Sequence, residues 1–293
     1  VRITAFAAAL LLSSCAPVGG AQLDRIEPQL QALEGASGAR LGVALADGNG
    51  RILAGHRANE RFAFCSTFKL LLAGMILDGH GEGRWSLDER LPVTKDDLVF
   101  HSPMTETRVD LGWMTIGDAA RAIVAISDNA AANLLVRRAG GAPAFNAWLG
   151  ELGDSSTRLD RPEPELNSNH PRDPRDTTTP QAIAASAAQL LFGGALDRGG
   201  KQTLRRWLVE SETGLKRIRA GLPPHYVAGD KTGTCGAKGR QSYNDVAFIL
   251  DADDESRGYV LAVYLDRPAN EGDAANASIA QVARIAARFI EAR

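Results

Sequence analysis

What this sequence has little of removes several function classes at once. Three cysteines in 293 residues are too few for a disulfide-stapled miniature fold, and 44% hydrophobic content lets the chain bury a large core in one or two domains instead. The five histidines, His56, His80, His101, His170 and His225, stand without His-x-His or His-Glu-x-x-His spacing, so no metal is expected and a metallohydrolase is disfavoured. No Gly-x-Ser-x-Gly elbow is centred on a serine, which weakens a Ser-His-Asp hydrolase. Charge is nearly balanced, 33 basic against 35 acidic residues for a formal net of −2, and no basic run is interleaved with aromatics. Nucleic acid is therefore not an expected partner. Beyond the first 21 residues no apolar stretch reaches membrane-spanning length, and there are no internal repeats. A small-molecule or polymer substrate is what remains.

Residues 1–21 read as an export signal: Arg2, an apolar stretch at 3–12 too short to span a bilayer, then small residues. Leu12-Ser13-Ser14-Cys15 resembles a bacterial lipobox that would make Cys15 a lipid-anchored N-terminus. Gly19-Gly20-Ala21 offers an ordinary cleavage site instead. The expected location is the periplasm, free or lipid-anchored. In such an oxidising compartment Cys65 and Cys235 make an even pair, and a disulfide between them would contribute roughly 5 kcal/mol in the chain-entropy model; two buried thiols are the alternative.

Along the chain, apolar residues at Leu23, Ile26, Leu30 and Leu33 predict an amphipathic helix over 22–33, ended by Gly35 and Gly38. Residues 41–46 and 51–56, joined by Asp47-Gly48-Asn49-Gly50, predict a β-hairpin. From Ser66 to about Glu210 the pattern is helical, with candidates at 116–125, 130–138, 142–149, 180–191 and 201–209. Strands return at 226–230, leading into Lys231-Thr232-Gly233-Thr234-Cys235-Gly236, and at 245–250 and 259–265, and a helix over 274–292 closes the chain. The expected fold is α/β, an antiparallel sheet built from both chain ends and flanked by helices, with an inserted all-α part and a cleft between them. In that division 22–60 and 211–293 form the α/β part, and 61–210 the helical part.

Phe64-Cys65-Ser66-Thr67-Phe68-Lys69 leads into an uncharged run at 70–77 that must be buried all round if helical. Ser66 and Lys69 share a helix face, which puts a hydroxyl beside an amine whose pKa burial and the helix dipole both push down. The plain reading is a capping serine and a snorkelling lysine. Ser127-Asp128-Asn129 gathers a hydroxyl, a carboxylate and an amide, yet all three residues are favoured helix caps. The proline-rich segment at about 158–179 is too long for a routine connection. There Glu163 and Asn167 can hold one water, and Arg161 with Asp176 can tie the loop shut. In Lys231-Thr232-Gly233-Thr234 a glycine inside a strand often marks close approach by a ligand, and lysine with threonine hydroxyls suits a carboxylate, although Lys-Thr-Gly reads equally as a turn.

Together and in this order, Ser66-x-x-Lys69, Ser127-Asp128-Asn129, Glu163-x-x-x-Asn167 and Lys231-Thr232-Gly233 resemble the signature of class A serine β-lactamases over about residues 22–293. The resemblance implies that Ser66 opens the lactam ring to an acyl-enzyme, with Lys69, or Glu163 through a water, as base. It further implies an oxyanion hole from the Ser66 and Thr234 backbone N–H groups, and proton delivery to the leaving nitrogen by Ser127 with Lys231. Asn129 would orient the substrate, Thr232, Thr234 and Arg217 would receive its carboxylate, and Glu163 with Asn167 would activate the deacylating water. No cofactor is implied, and the expected state is a monomer. Cys65 and Cys235 stand as in the disulfide-containing, carbapenem-hydrolysing members, where Arg217 and Thr234 also fit. His101 falls where relatives often carry an aromatic gate, although an exposed loop histidine reads as well. A penicillin-binding D,D-peptidase and a β-lactam sensor that stays acylated are the rival readings, both disfavoured by the Glu163-x-x-x-Asn167 pair.

Overall fold

A computed structural model describes residues 26–252, 254 and 257–293. The export-signal reading and Cys15 lie outside the described residues. The chain starts with α1 (Glu27–Ser37), β1 (Arg40–Asp47) and β2 (Ile52–His56), and ends with β7 (Tyr226–Cys235), β8 (Ser242–Asp251), β9 (Gly258–Asp266) and α10 (Asp273–Glu291). These five strands form one antiparallel sheet in the order β2-β1-β9-β8-β7, so the two chain ends meet at the β1–β9 pairing. Between them run short strands β3 (Phe62–Ala63), β4 (Arg90–Pro92), β5 (Trp113–Thr115) and β6 (Thr177–Thr178). Among them lie helices α2 (Phe68–Gly81), α3 (Pro103–Glu106), α4 (Ile116–Ala125), α5 (Asn129–Arg138), α6 (Gly141–Glu151), α7 (Pro180–Leu191), α8 (Arg198–Val209) and α9 (Ile218–Gly221).

Side-chain alternation along each strand feeds two separate cores. In β9, Val260, Ala262 and Tyr264 join the core shared with the middle helices, whereas Leu261, Val263 and Leu265 join the core under α1 and α10. Both faces are covered, which is why these strands read as nearly continuous apolar runs. Helix α2 is the centre of the middle segment. Every residue from Phe68 to Leu77 is buried, and the helix packs on α4, α5 and α8.

The first helix differs from its sequence expectation. It spans Glu27–Ser37, with Gly35 inside it, and stops at Gly38, whose φ of 64° places it in the left-handed region that glycine adopts without a Cβ penalty. Gly35 carries no such demand, so its modest propensity cost is absorbed within the helix.

Candidate active site

Ser66 belongs to a 3₁₀ turn (Cys65–Thr67) running straight into α2, and Lys69 is the second residue of that helix. The turn is fixed from several sides. The Thr67 hydroxyl lies 2.9 Å from the Tyr264 hydroxyl, Asn244 Nδ2 donates to the Ala63 carbonyl at 2.8 Å, and Cys65 is disulfide-bonded to Cys235 with Cα atoms 5.5 Å apart. The close approach signalled by Gly233 comes from the protein's own chain rather than a ligand. A Cβ there would stand 2.9 Å from the Phe64 carbonyl oxygen and 3.1 Å from the Ser66 nitrogen. Glycine thus lets β7 press against the Ser66 turn.

Lys69 is fully buried, its Nζ 3.2 Å from Ser66 Oγ, 2.9 Å from the Ser127 carbonyl oxygen and 3.0 Å from Glu163 Oε1, with Asn129 Oδ1 also accepting from it. Burial pulls its pKa below the usual lysine value, and the nearby Glu163 charge opposes that shift. Glu163 Oε1 is thus ion-paired to the Lys69 amine. Glu163 Oε2 accepts from Asn167 Nδ2 at 2.5 Å, and Asn167 Oδ1 is a buried atom with no hydrogen-bond partner among the described residues. An unmatched acceptor on the amide that bonds the Glu163 carboxylate is suited to a donor such as water.

The loop bearing Glu163 is held by contacts that sequence spacing partly foretells. Arg161 Nε donates to Asp176 Oδ2 at 2.5 Å, and Asp176 Oδ1 also accepts from the backbone N–H groups of Asp160 and Arg161. Asn133 was not anticipated. Its side chain clamps the Glu163 backbone at both polar atoms, N–H at 2.9 Å and carbonyl at 2.8 Å. An asparagine inside α5, where it is an indifferent helix former, was the available signal.

The Ser127-Asp128-Asn129 triplet divides its labour. Asp128 is the helix cap, buried and accepting from Ala131, Met104 and Thr105 backbone N–H groups. Ser127 instead adopts φ 63°, and its Oγ sits 3.0 Å from Lys231 Nζ and 3.4 Å from Lys69 Nζ. Cys65 (φ 51°) and His101 (φ 62°) are further left-handed non-glycine residues around the cleft, each a local cost of about 1–3 kcal/mol. Lys231 is fully buried, its pKa pushed down to about 7 by burial and then by the Lys69 charge. Behind it lie two buried carboxyls, Asp230 and Asp245, both raised first by burial.

Arg217, not itself on a strand, reaches the same place from the start of α9. Its guanidinium donates to the Gly233 carbonyl at 2.9 Å, the Asn244 carbonyl at 2.6 Å and Thr234 Oγ1 at 2.6 Å. Thr232 Oγ1 is 2.6 Å from Thr213 Oγ1, a residue the motifs did not reveal. A cleft of about 520 Å³ opens over Ser66, Ser127, Asn129, Asn167, Thr232 and Thr234. His101 lines it too, with Nε2 2.9 Å from the Ile126 carbonyl oxygen, but the adjoining Phe100 is the aromatic ring at the rim, 82% exposed. The cleft thus combines a hydroxyl touching a buried amine, a second hydroxyl between two lysines, an acid–amide pair, and cationic and hydroxyl groups fit for a carboxylate. Such a set suits acyl transfer through a covalent intermediate.

The family model described as "Beta-lactamase enzyme family" matches residues 25–290. Beta-lactamase CTX-M-97 of Escherichia coli is 40% identical over 285 residues, 97% of this chain and 95% of that one. Beta-lactamase L2 of Stenotrophomonas maltophilia is 43% identical over 260 residues, 88% and 84% of the two chains. Among solved structures, an ancestral (GNCA) class A β-lactamase superposes with a TM-score of 0.84 at 46% identity, covering 92% of this chain and all 100% of that one.

Proposed function

The chain belongs to the class A β-lactamase family, and from that premise we propose that it hydrolyses the β-lactam ring of penicillins, cephalosporins and carbapenems, conferring resistance to them. The observation that carries the mechanism is the position of Lys69 Nζ, 3.2 Å from Ser66 Oγ and 3.0 Å from Glu163 Oε1. Lys69 in its neutral form takes the Ser66 proton as Oγ attacks the lactam carbonyl and passes it on to Ser127, so that Glu163 remains a carboxylate for the second half of the reaction. The carbonyl oxygen becomes an oxyanion facing the Ser66 and Thr234 backbone N–H groups, where one donor is worth about 10²–10³ in rate. As the C–N bond breaks, Ser127 Oγ gives its proton to the departing nitrogen and is reprotonated from the lysines on either side. Asn129 holds the acylamide carbonyl, while Lys231, Thr232, Thr234 and Arg217 hold the substrate carboxylate.

Deacylation uses a water between Glu163 and Asn167. Glu163 removes its proton, the hydroxide adds to the ester carbonyl, and Ser66 leaves as the alcohol after regaining a proton. The unmatched Asn167 Oδ1, on the amide that donates to Glu163 Oε2, supports that placement. The Cys65–Cys235 bond beside Ser66 and Thr234, with Arg217 on Thr234, supports including carbapenems. We further read the protein as a two-part monomer (22–60 with 211–293, and 61–210), exported to the periplasm either free or lipid-anchored at Cys15. Steady-state hydrolysis of benzylpenicillin, a cephalosporin and imipenem by the oxidised enzyme tests the substrate range. Turnover of all three is expected, and an imipenem acyl-enzyme that persists without turnover removes carbapenems from it.

A further inference from the structure

We propose that a second cavity, under the 169–175 stretch of the loop that carries Glu163, binds a small multiply charged oxyanion of the phosphate class. This cavity of about 150 Å³ shares no lining residue with the cleft, and six arginines line it: Arg40, Arg61, Arg161, Arg172, Arg175 and Arg267. Three are matched to carboxylates, Arg161 to Asp176 at 2.5 Å, Arg175 to Asp173 at 2.8 Å and Arg40 to Glu60 at 3.0 Å. Of the other three, Arg267 has only a long approach to Asp266, which lines the cavity together with Asp173, and Arg61 and Arg172 are unmatched. Among the described residues neither Arg61 nor Arg172 has a carboxylate within 4.0 Å, and Arg61 uses Nη1 on the Ser156 carbonyl and the Thr177 hydroxyl. Arg267 has a buried Nε with no hydrogen-bond partner, 3.8 Å from Asp266 Oδ1, while its Nη2 donates to the Asn169 carbonyl at 2.9 Å.

Guanidinium forks converging on one small space repel each other, and their planar donors match the oxygens of a tetrahedral dianion. The volume equals roughly five waters at ~30 Å³ each, room for phosphate or sulfate with a little water but not for a polymer or a lipid tail. Arg161 also donates to Ser168 Oγ at 2.9 Å, so an anion held by Arg161, Arg172 and Arg267 would fasten the loop from behind.

Isothermal titration with sodium phosphate, against sodium chloride at matched ionic strength, tests the site. The probe should bind once per chain, at least tenfold more weakly in Arg172→Gln and Arg267→Gln, with unchanged affinity in Lys231→Ala. Arg172 is exposed, so its substitution leaves the fold intact. In the native protein phosphate should slow amide exchange across residues 169–175. No heat beyond the chloride control overturns the proposal. So does affinity kept in both arginine variants but lost in Lys231→Ala, which would place the phosphate in the cleft. Neither outcome bears on β-lactam hydrolysis.

Discussion

Raising the pH should weaken substrate capture through Lys231 before it harms any other part of the site. Its Nζ is buried, 3.0 Å from Ser127 Oγ and 2.8 Å from the Thr232 carbonyl oxygen, and burial with the neighbouring Lys69 charge lowers its pKa to about 7. The ammonium therefore predominates below about pH 7 and the neutral amine above it, and only the ammonium attracts a substrate carboxylate. Two pH units above that pKa about 1% remains charged in the free enzyme. The loss has a ceiling, because Thr234 and Arg217 stay in place. One charge-assisted hydrogen bond is worth about 1.5–3 kcal/mol, so kcat/KM for benzylpenicillin should fall roughly 10- to 150-fold and then level off. In kcat the same limb should lie at higher pH, since a bound carboxylate favours the charged lysine. Lys231→Arg, charged throughout this range, should be less active but flat across it. An alkaline limb of kcat/KM that persists unchanged in Lys231→Arg would refute the reasoning.

Asp176→Asn leaves the partly exposed Arg161 without its carboxylate, and losing a charge-assisted hydrogen bond costs about 1.5–3 kcal/mol. The loop should loosen around Glu163, and stopped-flow traces should show acyl-enzyme accumulating because deacylation slows more than acylation. Replacing both Cys65 and Cys235 by serine reopens a 170-residue loop, and urea titration should show up to about 5 kcal/mol less stability. Penicillin kcat/KM in that variant should drop less than tenfold, since Asn244 and Tyr264 still hold the Ser66 turn.

The residues of the proposed covalent chemistry stood out in the sequence because Ser66, Lys69, Ser127, Glu163 and Lys231 lie in short motifs, and the fold brings those motifs to one cleft. The sheet was equally plain, since strands covered on both faces leave long apolar runs at the two chain ends. What supports those motifs was harder to see. Asn133 and Asn244 act through single amides on distant backbone atoms; a poor helix former inside α5 is the one faint local sign of the first, and nothing local marks the second. Phe100 reads as one apolar residue in a loop, although it stands at the rim of the cleft. Gly233 was correctly singled out, but only the fold reveals that the approaching group is the Phe64–Ser66 backbone. The end of α1 slipped because Gly35 and Gly38 look alike in sequence, and only Gly38 takes a positive φ.

The central claim is that Ser66 forms the covalent bond and Glu163 releases it. Intact-mass spectrometry of Ser66→Ala and Glu163→Ala after incubation with benzylpenicillin tests it most directly. Glu163→Ala should carry the mass of one added penicillin that persists, and Ser66→Ala should carry none. Rapid turnover by either variant, or a stable adduct on Ser66→Ala, would contradict the account.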